Sequence, residues 1–124
     1  MTPKILLIVA SIMSCLGVML GAFAAHLLKE KLSQEMLSIF EVGVRYHMYH
    51  ALALFAVAWL MVQFPEVGVP PAGWLFVVGI CIFSGSLYAL SLTGVRWLGM
   101  ITPVGGICFL VGWAWMAWSV WKSL

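Results

Sequence analysis

The stretch Gly21–Leu54, GAFAAHLLKEKLSQEMLSIFEVGVRYHMYHALAL, decides how this chain must fold, because it holds nearly all of the ionisable chemistry. All three histidines (His26, His47, His50) lie in it, with three of the four acids (Glu30, Glu35, Glu41) and three of the six basic residues. Within it, Leu28, Leu32, Met36, Ile39, Phe40 and Gly43 fall on one helical face, opposite Glu30, Lys31, Gln34, Glu35, Ser38 and Glu41. An amphipathic segment over about 33–43 therefore suits the membrane surface. Ser33 reads as its N-cap, with Glu35 in the first turn beside the positive dipole end. No breaker separates this segment from the apolar run Ala51–Val62, so one long helix or two bent near Gly43 fit equally well.

Outside this stretch the chain is almost uncharged hydrocarbon. Of 124 residues, 65% are hydrophobic and 8% charged, against about 45–50% and 25% in soluble domains. A soluble domain of this size could not cover that much apolar surface, so lipid is the expected solvent. The net charge of +2 is small and dispersed, with no basic run interleaved with aromatics, which sets nucleic acid aside. Cys15, Cys81 and Cys108 each fall inside an apolar segment without a CxxC neighbour and read as packing residues.

Four apolar runs have the length to span a bilayer as helices, at about 5–25, 44–63, 72–92 and 103–121. The first could be mistaken for a signal peptide, since Lys4 precedes it and Ala22-Phe23-Ala24 resembles a cleavage site, but its apolar core is too long. Gly17, Gly21 and Ala25 place small residues on one stripe of that helix, a packing surface for a neighbour. Gly105 and Gly106 are expected to do the same in the fourth span. Pro70-Pro71 suits a helix start, Thr93-Gly94 a C-cap, and Thr102-Pro103 an N-cap followed by its first turn. If the last helix instead begins near Trp97, Pro103 kinks it. The fold class expected is an all-α, four-span transmembrane helical bundle, one domain over 1–124, with an amphipathic interfacial segment before the second span.

Four spans place both termini on one side, where Trp59, Trp74, Trp115, Trp118 and Trp121 form an interfacial belt. The opposite end carries Tyr46, Tyr49, Tyr88 and Trp97. Lys29, Lys31, Arg45 and Arg96 lie at that second end, against Lys4 and Lys122 at the termini. Basic residues favour the cytoplasm, so both termini are expected outside.

The candidate polar cluster gathers at the cytoplasmic end. Glu41 and Arg45 stand at i,i+4 and should pair, Tyr46 and His50 share another face, and His26 and Arg96 reach the same depth from neighbouring elements. Ionisable groups inside a span are costly and seldom idle, although at headgroup depth the same residues need no function. The histidine spacing matches no metal-ligand motif, a haem between His26 and His50 lacks a signature, and no H-E-x-x-H, G-x-S-x-G or P-loop occurs. No metal or cofactor is expected, and no catalytic activity.

Gly21-Ala22-Phe23-Ala24-Ala25-His26, Tyr46-His47-Met48-Tyr49-His50, Phe83-Ser84-Gly85-Ser86-Leu87-Tyr88, Thr102-Pro103-Val104-Gly105-Gly106 and Gly112-Trp113 follow one another along the chain. Together they resemble the small bacterial YgdD-type inner-membrane proteins, related to eukaryotic transmembrane protein 256. That family is catalogued as a domain of unknown function. The chain departs from the family pattern at Ala24, where glycine is usual, and at His47, where glutamine is usual. The second departure argues against His47 as an essential ligand. The resemblance implies a four-span inner-membrane protein and carries no activity with it. The functional expectation is a non-enzymatic accessory or scaffolding component that meets membrane lipids, a membrane-protein partner or further copies of itself. The alternative is a subunit of an oligomeric small-ion or solute transporter or channel using the His26/Arg45/His50 cluster.

Overall fold

Thr2 and Pro3 start the first helix: the threonine hydroxyl accepts from the Ile5 N–H at 3.3 Å, and a proline in the first turn wastes no amide. In the computed structural model, which describes residues 1–124, α1 then runs unbroken over Pro3–Lys31. It passes the expected end at Ala25 through a five-residue π turn at Ala24–Leu28. Leu32 is extended, and the Ser33 hydroxyl caps the next helix by accepting from the Met36 N–H at 3.2 Å. Helix α2 covers Gln34–Gln63 without a bend. Gly43 does not break it. A Cβ there would stand 2.9 Å from Tyr88 Cε1, so this glycine admits a neighbouring helix.

Helix α3 covers Pro70–Thr93, with a second π turn at Ile80–Ser84, and ends at Gly94, whose φ of 72° is the left-handed cap. A 3₁₀ turn at Arg96–Met100 leads into α4, Thr102–Ser123. Thr102 was expected to cap α4, but its hydroxyl instead meets Ser86 Oγ of α3 at 2.6 Å. The helix starts without a side-chain cap because that hydroxyl is spent on holding α3 and α4 together.

The chain is thus all-helical. Three segments, Pro3–Lys31, Pro70–Thr93 and Arg96–Ser123, are long and apolar enough to cross a membrane by length and composition. Helix α2 is equally long, but its polar residues dilute it. It has eleven buried positions, against nine on the shorter α3 and four on α4. The flanking helices shield His47 and His50, whereas Glu35, Glu41 and Arg45 near the start of α2 stay exposed.

Two apolar cores lie along the bundle. The larger is toward the termini and includes Leu6, Leu54, Val57, Phe76 and Phe109; the smaller, at the other end, is Ala24, Leu28, Leu37 and Phe40. Glycines set the helix spacing. Gly17 of α1 lies against Met48 of α2, and Gly21 faces Val44, with 3.3 Å between a built Cβ and Cγ1. Gly105 of α4 abuts the Phe83 backbone, whereas a Cβ on Gly106 would find only the Phe83 ring, at 3.8 Å. The cysteines do not pack inside: Cys15 and Cys81 are exposed and Cys108 half-buried.

Candidate functional site

Between the two cores, α2 turns two histidines inward. His47 is 3% exposed and His50 5%. A buried ring nitrogen needs a partner, and each of the four nitrogens has one. His47 Nε2 lies 2.8 Å from the Met13 carbonyl of α1 and Nδ1 lies 3.0 Å from the Tyr88 hydroxyl of α3. A carbonyl can only accept, so Nε2 carries the proton, and the Tyr88 O–H donates to Nδ1. His50 is wired the other way round. Its Nδ1–H donates to the Tyr46 carbonyl at 2.7 Å, and its Nε2 accepts from the Trp113 Nε1–H of α4 at 3.1 Å. Indole only donates, so His50 is held neutral as the opposite tautomer.

The two imidazoles are three residues apart on one helix and serve different interfaces. His47 ties α2 to α1 and α3. Ser84 adds to that join, its hydroxyl donating to the Gly43 carbonyl at 2.7 Å from the end of the π turn in α3. His50 ties α2 to α4 and lies flat on Phe109, with ring centroids 3.5 Å apart and planes 6° apart.

The structure does not assemble the expected six-residue cluster. His26 is exposed on the π turn of α1, because Ala24 and Leu28, at i and i+4, take the inward positions and leave the residue between them outside. Glu41 and Arg45 are both exposed and form no ion pair. Such a pair in water gains only about 0.2–0.5 kcal/mol, too little to hold two flexible side chains together. Arg96 goes instead to Glu35, Nη1 to Oε1 at 3.0 Å and Nη2 to Oε2 at 3.3 Å. This two-pronged bond from the guanidinium holds the Glu35 carboxyl below its ordinary range and raises Arg96. It also pins the last connection to the start of α2. Of the expected set, only Tyr46 and His50 stay together, their rings 6.3 Å apart.

Each buried histidine lies at the back of an apolar groove of about 540 Å³. The first groove, between α2, α3 and α4, is lined by Tyr46, Tyr49, Phe83, Ile107 and Trp113 beside His50. The second, between α1, α2 and α3, is lined by Met13, Met19, Phe23, Cys81 and Tyr88 beside His47. Sequence reasoning did not single out Met13, Phe109 or Trp113. Trp113 was visible only as a member of the Gly112-Trp113 motif, and Tyr88 as a member of the Phe83–Tyr88 motif and as an interfacial aromatic. No three His, Cys, Asp or Glu side chains converge to hold a metal ion.

A family model described as a protein of unknown function (DUF423) matches residues 20–106. UPF0382 membrane protein YwdK of Bacillus subtilis is 49% identical over 111 residues, covering 89% of this chain and 90% of that protein. UPF0382 membrane protein SH2409 of Staphylococcus haemolyticus is 41% identical over 119 residues, 96% of this chain and 97% of the relative. A UPF0382 membrane protein of Staphylococcus epidermidis is 46% identical over 110 residues, 89% of each chain. No solved structure matches the sequence.

Proposed function

This chain belongs to the DUF423 family of membrane proteins, and from that premise we propose that it is a non-enzymatic accessory component of the bacterial inner membrane, which acts through its lateral surface. It crosses the bilayer four times, α2 included, with both termini outside and the α1–α2 and α3–α4 connections in the cytoplasm. The asymmetry of Lys29, Lys31, Arg45 and Arg96 over Lys4 and Lys122 supports this orientation.

One observation carries the reading: the two buried histidines of α2 have every ring nitrogen engaged inside the bundle, while its two grooves open sideways. A path for ions or solutes needs polar groups that face a wet lumen and are free to exchange partners. Here both nitrogens of His47 and of His50 are already bonded to neighbouring helices or to the backbone. Phe40 on one side of them and Leu54, Val57 and Phe76 on the other are fully buried and fill the interior of the bundle. What remains open to recognition is therefore the outside, at groove depth.

Purified protein reconstituted into vesicles under proton and potassium gradients tests this. The expected flux equals that of protein-free vesicles. A protein-dependent flux that is abolished by His50→Phe would establish a transport role in place of the accessory one.

A further inference from the structure

We propose that the groove between α2 and α4 is a binding site for one anionic phospholipid, its acyl chain along the groove and its phosphate at Arg45. This deepens the accessory reading by naming what one lateral surface recognises.

The groove has a polarity gradient along its length. Helices α2 and α4 run in the same direction past it, since each is antiparallel to α3: Gly43 meets Ser84 and His50 meets Phe76, while Gly105 meets Phe83 and Gly112 meets Phe76. At the cytoplasmic end stands Tyr46, exposed, near Pro103, and the exposed Tyr49 follows about one turn further in. Further in, the walls are Ile107, Leu110 and Trp113. The one polar group at the back, His50, already has both nitrogens engaged. A ligand that fits must therefore bring polarity at one end only.

Length separates a lipid from a partner helix. From Pro103 to Trp113 the groove follows ten helical residues, about 15 Å at 1.5 Å per residue. That is half of a hydrocarbon core of about 30 Å, the depth of one leaflet. Trp113 stands between this groove and a further one at Met116–Trp121, and one acyl chain needs only the half in its own leaflet.

Charge sets the headgroup. Arg45 precedes Tyr46 and lies one turn outward of Tyr49 on the exposed side of α2. The chain's single ion pair is Arg96–Glu35, so the Arg45 guanidinium is uncommitted. Glu41, a further turn toward the loop, is the nearest acid along the helix and takes no part in an ion pair with it. A phosphate oxyanion at the groove mouth, by Tyr46, would give the guanidinium the two-pronged partner that it lacks, and Tyr46 stands at that mouth as interfacial aromatic residues do.

Native mass spectrometry of the full-length protein, delipidated and titrated with phosphatidylglycerol or phosphatidylcholine of identical chains, tests the assignment. Wild type should retain phosphatidylglycerol about fivefold better, the ~1 kcal/mol of one basic residue near an anionic headgroup. Arg45→Gln should erase the preference and Arg45→Lys should keep it. Ile107→Trp, at a position 59% exposed and so tolerant of bulk, should lower retention of both lipids by filling the groove. Lys122→Gln, at the opposite end, should change nothing. Equal retention of the two lipids by wild type would overturn the proposal. So would a preference that survives Arg45→Gln, or full retention by Ile107→Trp. A protein with no lipid preference that also conducts nothing would lose this site and keep the accessory role, whereas flux with an intact preference would do the reverse.

Discussion

Replacing Gly105 with alanine should drive α3 and α4 apart, and replacing its neighbour Gly106 should not. A Cβ on Gly105 would stand 2.7 Å from Phe83 Cβ and 2.8 Å from Phe83 Cα, where non-bonded carbons settle at about 3.5–4.0 Å. The obstacle is the backbone of α3 and the first atom of its side chain, which no rotamer change moves aside. The helices must therefore separate by about 1 Å, and a gap of that size forfeits a quarter to a half of the dispersion energy of the contacts it opens. Other close contacts share the seam: a Cβ on Gly79 would lie 2.5 Å from the Phe109 ring, one on Gly112 2.7 Å from the Phe76 ring, and Ser86 meets Thr102. Overpacked interiors lose about 1–3 kcal/mol, and alanine returns at most about 1 kcal/mol of helix propensity. Gly105→Ala should therefore cost a net ~1–2 kcal/mol. Gly106→Ala, meeting only a ring at 3.8 Å, should be neutral or slightly stabilising. Reversible unfolding in mixed micelles, titrated with a denaturing detergent, measures both. Equal losses at the two positions would refute the reasoning.

His50→Phe should cost about 1–3 kcal/mol in the same assay, because it removes the only acceptor of the Trp113 N–H; an unchanged midpoint would remove His50 as a clamp. His47→Gln should fold normally, since an amide can donate to the Met13 carbonyl and accept from Tyr88 as the imidazole does, whereas His47→Leu should lose about 1–3 kcal/mol by stranding the Tyr88 hydroxyl. The Glu35 carboxyl, depressed by Arg96, contributes stability above the ordinary glutamate range that is lost as pH falls through its lowered value. Wild type should consequently show a small fall in melting midpoint from about pH 6 to pH 3 that Glu35→Gln lacks, and identical pH responses would argue against the bond in solution. A reporter active only in the cytoplasm and fused after Leu124 should stay silent, and a strong signal would invert the proposed orientation.

Where the fold was legible, periodicity and punctuation carried it. The apolar runs, Ser33 before α2, Pro70 and Gly94 are local signals whose meaning does not depend on what lies across the bundle. The same locality explains the errors. Thr102 reads as a cap until one sees Ser86, and Gly43 leaves one long helix and two bent ones equally open until one sees Tyr88. The π turns of α1 and α3 have no composition that announces them. The polar cluster failed for a related reason. Depth in the membrane can be read along the chain, but facing direction cannot, so residues at one level were gathered although they point apart. His50 is the instructive case. Its partners are an indole 63 residues away and its own helix backbone, and neither pairing leaves a spacing to recognise.

The enclosure of α2 bears on how the protein is made. The helix that ends up with the most buried positions is the one a bilayer would accept least readily alone, since Arg45, His47 and His50 come with it. Helix α1 precedes it and presents Gly17 and Gly21 to Met48 and Val44, so the two can enter as a hairpin in which His47 already finds the Met13 carbonyl. Tyr88 arrives with α3 and Trp113 only with α4. The buried histidines of α2 are thus satisfied in the order in which the chain leaves the ribosome, and His50 waits for the last helix.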